Sequence, residues 1–349
     1  MTSLSQHNGR YIVTIVALTL LMALLAVGCL LWGSVDIDAR SVVDIIMGRG
    51  SDNQAWEIII LQSRLPMIAT AALAGAALSV SGLLLQTTFN NPLAGPSILG
   101  VSSGAGLGVA VVILAMGGTA PSVLGMNVGS YMATLAGAVL GAGVVLALLI
   151  GFSVIVRSST MLLIIGILVS YLTSSIVSLL NSVATEEGVH NYVTWGFGTF
   201  SGVGVPQLPV YAGIIVAALA GSLLMVKPLN ALLLGTRYAQ NLGINVQRSR
   251  NVLLLITGVL TAVVTAFCGP IGFIGLVVPH IARLALGTSN HGRLLPAVML
   301  AGADVALLCS LVSVCGAHGI IPINAITPLI GVPIILYIIL NRRRIHYFN

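Results

Sequence analysis

Charged side chains are the scarcest feature of this sequence. They make up 6% of its 349 residues, and only one of them, Lys227, is a lysine. A soluble domain carries roughly 25% charged residues, so this chain lacks the polar side chains needed to cover a folded core in water. Hydrophobic residues reach 57% and the mean hydropathy is +1.09, which excludes an ordinary soluble protein and indicates a protein of the lipid bilayer.

The sequence also lacks the motifs of a metal site, a disulfide framework and an ATPase. Its four cysteines lie inside apolar runs, without a CxxC pair or a Cys/His cluster, so neither a metal site nor a disulfide is predicted. The phosphate-binding GxxxxGK[ST] loop is absent, because Lys227 is followed by Pro-Leu-Asn. We therefore predict no cofactor on this chain and no enzyme activity. If the chain drives an energy-requiring process, the energy is expected to come from a partner that uses ATP or from an ion gradient.

Apolar segments run from one end of the chain to the other. Because about 20 apolar residues cross a bilayer as a helix, the pattern predicts an all-α integral membrane protein with ten transmembrane helices. No hydrophilic stretch is long enough to fold separately, so residues 1–349 are predicted to form one membrane domain. The predicted helices are Tyr11–Trp32, Leu65–Phe89, Pro96–Met116, Ser130–Val156, Met161–Val183, Gln207–Val226, Asn251–Phe267, Ile271–Leu286, Leu295–Val314 and Ala325–Leu340.

The charged residues predict the orientation of these helices. With both termini in the cytoplasm, eleven of the fourteen basic residues lie at cytoplasmic helix ends, and seven of the eight acids lie outside. Basic segments are retained in the cytoplasm, so a multi-pass inner-membrane protein is predicted. The net charge of +6 would suggest nucleic acid in a soluble protein, but here it consists of these orientation signals, so no nucleic-acid partner is predicted. The cytoplasmic group is Arg10, Arg157, Lys227, Arg237, Arg248, Arg250, Arg283, Arg293, Arg342, Arg343 and Arg344. The external group is Arg40, Arg49, Arg64, Asp36, Asp38, Asp44, Asp52, Glu57, Glu186 and Glu187.

The longest polar stretch on the cytoplasmic side is the segment Leu229–Arg250, and it has the pattern of a protein-docking element. Within it, Gly235 to Gly243 predicts a short helix with Ala239 and Leu242 on one face and Gly243 at its end. An exposed amphipathic helix on the ATP side suits docking to another protein. An ordinary connecting loop is the alternative, and the residues alone do not decide between the two.

Several long motifs resemble those of the FecCD-type permeases, which serve ABC importers of siderophores, haem and cobalamin. The resemblance covers about Arg64 to Arg344, in the order Arg64-Leu65-Pro66, Asn91-Pro92-Leu93-Ala94 to Gly108, Gly269 to Arg283, and Thr327 to Pro333. It implies the FecCD-type permease fold with ten helices per subunit and a permease dimer, taken here as two identical copies. It also implies two cytoplasmic ATPase subunits and a periplasmic or lipid-anchored binding protein.

The resemblance also implies roles for single residues, each of which is an expectation here. An external arginine that pairs with glutamates of the binding protein corresponds to Arg64. The dimer's central path should involve the fifth helix and the segment Tyr192–Gly202. The residues implied in coupling to the ATPase are Gly235, Arg237, Tyr238, Ala239, Leu242 and Gly243. The residues expected along the path and at its cytoplasmic gate are Asn91, Leu93, Ser159, Thr160, Ser170, Thr173, Ser174 and Asn181.

The ligand and the energy source stay open at this point. Iron chelates such as siderophores or haem are placed first because they are the commonest class, and cobalamin is the alternative within the same family. An ion-coupled secondary transporter is the alternative of another class, because Asp304 lies within a predicted span, where a carboxylate is functional by default. A membrane-embedded enzyme has little support from the few polar residues within the spans. His280, beside Pro279 in a short span, is interpreted as a hydrogen-bonded packing residue rather than a ligand.

Overall fold

The computed structural model describes residues 2–51, 53–115, 129–156, 158–314 and 321–340, and all of the regular structure in these ranges is helical. Numbered in chain order, its α-helices are α1 Thr2–Leu31, α2 Ala39–Ile46, α3 Gln54–Ile58, α4 Leu65–Thr88, α5 Val101–Ala110, α6 Ser130–Ile155, α7 Ser159–Val183, α8 Glu186–Gly196, α9 Leu208–Leu224, α10 Val226–Leu233, α11 Thr236–Asn241, α12 Val246–Cys268, α13 Ile274–Leu286, α14 His291–Val314 and α15 Ile323–Leu340.

Each predicted transmembrane segment corresponds to an apolar helical segment of the structure. Within the described residues, six segments are long enough to cross a bilayer as they stand, and a seventh is the pair α9 and α10, which is bent by 53°. Three shorter apolar helices, Val101–Ala115, Ile274–Leu286 and Ile323–Tyr337, match the remaining three predictions. The all-α membrane fold and the pattern of about ten apolar segments are confirmed.

Several helix starts differ from the prediction, and two of them have clear local reasons. The second segment begins at Gln54 rather than Leu65, because α3 continues into α4 through a π-helical turn, Ile59–Arg64. That turn immediately precedes Pro66, whose ring and missing N–H do not fit a regular helical interior. The seventh predicted segment begins at Val246 rather than Asn251, since the Asn245 side chain accepts a hydrogen bond from the Arg248 N–H at 2.9 Å.

The centre of the molecule is α4, which is buried on every side. It packs against α14, α12, α13 and α9, and its inner residues are mainly Ala, Gly, Ser and Leu. The small residues allow close approach: a Cβ at Gly75 would lie 2.0 Å from the Gly302 carbonyl oxygen, and one at Gly82 would lie 1.6 Å from that of Gly275. Lipid offers helices no hydrophobic drive to associate, so this tight backbone packing supplies the attraction.

A second layer, formed by α5, α6 and α7, covers one side of this centre. Here α5 and α6 meet through glycines, because a Cβ at Gly108 would lie 1.9 Å from the Gly137 carbonyl oxygen and one at Gly141 would lie 2.1 Å from that of Gly104. The next helix, α7, packs against α5 on one face and leaves most of its remaining surface exposed.

Basic side chains lie at the helix ends that the charge pattern assigns to them. The Arg10 guanidinium donates to the carbonyls of Leu284 and Ala285 at the end of α13, each at 2.8 Å. Arg250 donates to the Val156 carbonyl just beyond α6 at 2.8 Å. Of the other residues used to predict orientation, Asp52, Arg157 and Arg342 to Arg344 lie outside the described residues.

Candidate functional site

A cavity of about 440 Å³ lies between α5, α7, α8, the break between α12 and α13, and the start of α15. All of its lining residues are uncharged, and half of them carry hydrogen-bonding side chains. The lining is Ser97, Ser102, Ser103, Gly106, Thr173, Ser174, Val177, Tyr192, Val193, Trp195, Gly196, Pro270, Ile271, Gly272 and Asn324. A wall of hydroxyls and aromatic rings offers many weak contacts without a fixed charge.

The aromatic part of the wall comes from α8, the helix within the segment that the family resemblance places beside the path. The rings of Tyr192 and Trp195 stack with their centroids 6.1 Å apart. Burial raises the pKa of the Tyr192 phenol, so this hydroxyl stays a neutral hydrogen-bonding group.

Among the predicted path residues, Thr173 and Ser174 line the cavity. Ser170 does not, and its hydroxyl donates to the Gly166 carbonyl of its own helix at 3.0 Å. Asn181 lies further along α7, and its Oδ1 has no hydrogen-bond partner among the described residues. The structure therefore brings two of these four α7 residues to the cavity.

Four polar lining residues were not identified from the sequence: Ser97, Ser102, Ser103 and Asn324. Ser102 lies 3.1 Å from the Thr265 hydroxyl, which ties α5 to α12. The three serines belong to a run of small residues in which Gly104 and Gly108 pack against α6 while the serines border the cavity. The sequence signal that could have identified the serines is the run of hydroxyls among glycines.

Asn324 holds together three segments that meet at one end of the cavity. Its side-chain amide donates to the Gly196 carbonyl at 2.8 Å and to the Pro270 carbonyl, and its Oδ1 accepts from the Gly272 N–H at 3.3 Å. The break between α12 and α13 needs such support, because Phe273 has a φ of +65°, which non-glycine residues rarely adopt.

The residues predicted for the cytoplasmic gate lie in two places. Asn91 and Leu93 belong to the loop that follows α4, where the Asn91 Oδ1 accepts from the Leu93 N–H at 2.9 Å and the Leu93 side chain is 40% exposed. Thr160 is exposed in the first turn of α7. The side chain of Ser159 lies outside the described residues.

The predicted docking helix is present as α11, six residues long. Gly243 ends it as expected: Gly243 has a φ of +80°, and its N–H and that of Ile244 donate to the carbonyls of Gln240 and Ala239. This pair of bonds is the Schellman arrangement of a helix C-terminus. Gly235, at the other end, also has a positive φ, of +99°.

The two apolar residues of α11 do not share a face, and that part of the prediction is wrong. Ala239 is fully buried in the same cluster as Leu229 and Leu232, because α11 packs against α10 and α12. Leu242 follows the last helical residue, where the chain turns, and its side chain is 58% exposed. Tyr238 is 52% exposed and Arg237 is also exposed, so these side chains form the accessible surface.

A sequence profile of the FecCD transport family matches residues 18–341. The chain belongs to the FecCD transport family. It is an ABC importer permease and a multi-pass protein of the bacterial inner membrane. A "Vitamin B12 import system permease protein BtuC" of Escherichia coli O9:H4 (strain HS) is 35% identical over 290 residues, which cover 82% of this chain and 85% of the relative.

Other relatives agree with this assignment. The protein of the same name in Citrobacter koseri is 35% identical over 293 residues, covering 82% of this chain and 84% of its own length. A solved structure, described as an inward-facing conformation of a metal-chelate type ABC transporter, superposes with a TM-score of 0.80 at 32% identity. That superposition covers 94% of this chain and 98% of the other.

In this FecCD permease, Arg64 is turned toward its own chain. Its guanidinium donates to the carbonyls of Leu30, Leu31 and Val35, where α1 ends, and the residue is only 5% exposed. Gly33 leaves room for it, since a Cβ there would lie 2.5 Å from the guanidinium. Docking of a binding protein at Arg64 stays a prediction, and these internal bonds argue against it.

Asp304, the acid within the predicted ninth span, lies in α14 rather than at the cavity. It is 4% exposed, and neither of its carboxylate oxygens has a hydrogen-bond partner among the described residues. The FecCD permease therefore holds an isolated carboxyl away from the polar lining that forms its candidate path.

Proposed function

We propose that this chain is the translocation subunit of an ATP-driven importer of a large metal chelate, with the 440 Å³ cavity as part of the path wall. The uncharged lining carries this proposal. A path for a bulky ligand has to be wide and weakly binding, because a tight site would not release it. Hydroxyls and aromatic rings without charge fit a ligand whose outer surface is neutral and forms hydrogen bonds.

Two chelate classes are candidates for this path. Iron chelates, meaning siderophores or haem, are the first expectation from the sequence. Cobalamin is the second candidate, and it is supported by relatives at 35% identity that are named as vitamin B12 import permeases. The motifs that assign the family are common to all of these ligands, so the ligand class needs a direct measurement.

The ligand test uses proteoliposomes that contain the permease, its ATPase subunits and its binding protein. Uptake of cyanocobalamin, a ferric siderophore and haem would be compared with and without ATP. One chelate should accumulate only when ATP is present. Uptake that persists without ATP, collapses with an uncoupler and is lost in Asp304→Asn would instead identify an ion-coupled transporter.

We place the ATPase contact at the exposed surface of α11, formed by Arg237, Tyr238 and Leu242. Its exposure beside the bent pair α9 and α10 supports this assignment, since an apolar and aromatic surface on a cytoplasmic helix needs a partner. Hydrolysis of ATP belongs to that partner, and a second copy of this chain completes the path.

The docking test replaces Tyr238 and Leu242 with aspartate. An added charge on an exposed contact surface should abolish co-purification with the ATPase while the permease stays folded. Ala239→Asp is unsuitable, because burying a lone carboxylate would unfold the segment. Met47→Asp, which changes an equally exposed apolar residue on the external side, is the matched control. Retained ATPase association in the double variant would remove this assignment.

A further inference from the structure

A chain of polar contacts begins on α10, the helix joined directly to α11. The Asn230 Oδ1 accepts from the backbone N–H of His291 at 2.8 Å and lies 3.0 Å from its ring Nδ1. Since an amide oxygen only accepts, the His291 Nδ1 carries the proton. The other ring nitrogen lies 2.8 Å from the Thr87 hydroxyl at the end of α4. His291 is fully buried, so it joins α10, α14 and α4 without contact with water.

The preceding residue of α4, Gln86, continues the contacts into α13. Gln86 is fully buried, its Oε1 accepts from the Arg283 guanidinium at 2.7 Å, and its amide nitrogen donates to the Leu276 carbonyl at 3.2 Å. Gln86 therefore forms hydrogen bonds with two residues of α13 that lie about two helical turns apart. A hydrogen bond between a buried amide and a buried guanidinium is costly to break, because water cannot replace it there.

One turn before Arg283 on α13, His280 reaches the predicted gate loop. Its Nε2 lies 2.8 Å from the Pro92 carbonyl oxygen, and because a carbonyl only accepts, this nitrogen donates the hydrogen bond. His280 is 1% exposed. Pro92 stands between Asn91 and Leu93, so the loop is attached to α13 at its middle residue.

We propose that these six side chains form a relay that carries movement of α10 and α11 to the Asn91–Leu93 loop. The relay consists of Asn230, His291, Thr87, Gln86, Arg283 and His280. Its members lie on four helices. Contacts within hydrogen-bond distance join residues of different helices, and members on the same helix lie within one turn of each other. Displacing α10 therefore moves the ends of α14, α4 and α13 together. This proposal rests on the proposed docking of the ATPase at α11 and adds how docking reaches the gate.

The test follows the gate loop directly and needs no ligand. A cysteine at position 93, introduced as Leu93→Cys, reports the loop through its reaction with a maleimide in proteoliposomes with the ATPase. The parent, whose described cysteines are buried, gives the background. Trapping the ATPase with ATP and vanadate should change the labelling rate. Asn230→Ala removes both contacts to His291, and His280→Ala removes the bond to Pro92. Each should reduce that change by about tenfold, the order expected for lost buried hydrogen bonds.

Conservative variants and a matched control separate a relay from general destabilisation. Asn230→Asp keeps an acceptor for His291, and His280→Gln keeps a donor near Pro92, so both should restore most of the response. Ser79→Ala removes a buried bond of 2.9 Å between α4 and the Val298 carbonyl of α14, away from the relay, and should leave the response unchanged. An equal loss in Ser79→Ala, or no rescue by the conservative variants, would overturn the proposal.

The combined variant Asn230→Ala/His280→Ala gives the sharpest result. If one relay connects the two residues, the double variant should lose no more response than the worse single variant. Independent, multiplying losses would refute a single route. Failure of the docking proposal gives a different result, because the variants Tyr238→Asp and Leu242→Asp would then still bind the ATPase and still show the labelling response. The relay variants are compared only in complexes that retain the ATPase.

Discussion

At the scale of single residues, arginine is used here to cap helix C-termini. Arg10 does so for α13, Arg250 for α6 and Arg64 for α1, each by donating to carbonyls that have no partner within their own helix. The last carbonyls of a helix are unsatisfied and partly negative, so a cation with several N–H groups suits them. Near a membrane this also places each charge at a helix end rather than within the apolar span.

The contacts of Arg64 with the end of α1 are expected to stabilise the folded permease. Arg64→Ala removes all three carbonyl contacts at the end of α1 and should cost about 2–3 kcal/mol of stability, the usual range for charge-assisted hydrogen bonds. Thermal unfolding in detergent measures this loss, with Arg40→Ala, an exposed external arginine, as the control. If Arg64→Ala instead weakens binding-protein affinity and leaves the melting temperature unchanged, the docking role holds and the capping role does not.

At the scale of elements, glycine decides which helices meet. The small-residue segments from Ala71 to Gly82 and from Gly137 to Gly143 allow close approach of helix backbones, and most of their glycines contact a neighbouring helix. Gly143 is an exception, because nothing lies within 4 Å of a Cβ placed there. The sequence pattern identifies a helix face made of small residues. Only the packed helices show which glycine of that face contacts a neighbouring backbone.

The paired variants Gly75→Ala and Gly143→Ala test this distinction. A methyl group at Gly75 would overlap the Gly302 backbone, so α4 and α14 must separate, and the loss should be about 1–3 kcal/mol or more. Gly143→Ala should be neutral or stabilising by up to about 1 kcal/mol, since it only removes backbone freedom within α6. Unfolding of the two variants in mixed micelles gives the comparison, and equal effects would contradict the packing argument.

At the scale of the whole molecule, the exposed surface of α7 is the side on which a second subunit is proposed. Only 22% of this apolar helix is buried within the chain, while the cavity opens beside it. The proposed path lies between two copies, so α7 should face its counterpart. Helix α1 is more apolar and even less buried, at 17%, but it packs against α14 and contributes no residue to the cavity, so lipid is its expected neighbour.

Cross-linking tests this arrangement. Leu172→Cys places a thiol on α7 at a position that is 62% exposed, and it should form a disulfide or a short bismaleimide link to the second copy in membranes. Leu20→Cys, which is 66% exposed on α1, is the matched control and should stay monomeric. A cross-link at position 20 without one at position 172 would place the subunit interface at α1 and contradict the proposed interface at α7.

The sequence by itself determined the membrane class, the ten apolar segments, the family and the end of α11 at Gly243. Each of these follows from local composition or from motifs that are contiguous along the chain. Hydropathy needs about 20 neighbouring residues, and a helix C-terminus needs only a glycine in the right place.

Only the tertiary structure decided which side chains meet. In the folded chain Ala239 is buried, and Arg64 donates hydrogen bonds to the end of α1. Asn324 bonds to the carbonyls of Gly196 and Pro270, and His280 bonds to that of Pro92. These contacts join residues that are tens to hundreds of positions apart. The facing of a side chain depends on which helix packs against it, and neither periodicity nor motif spacing contains that information in a chain whose helices are apolar on nearly every side.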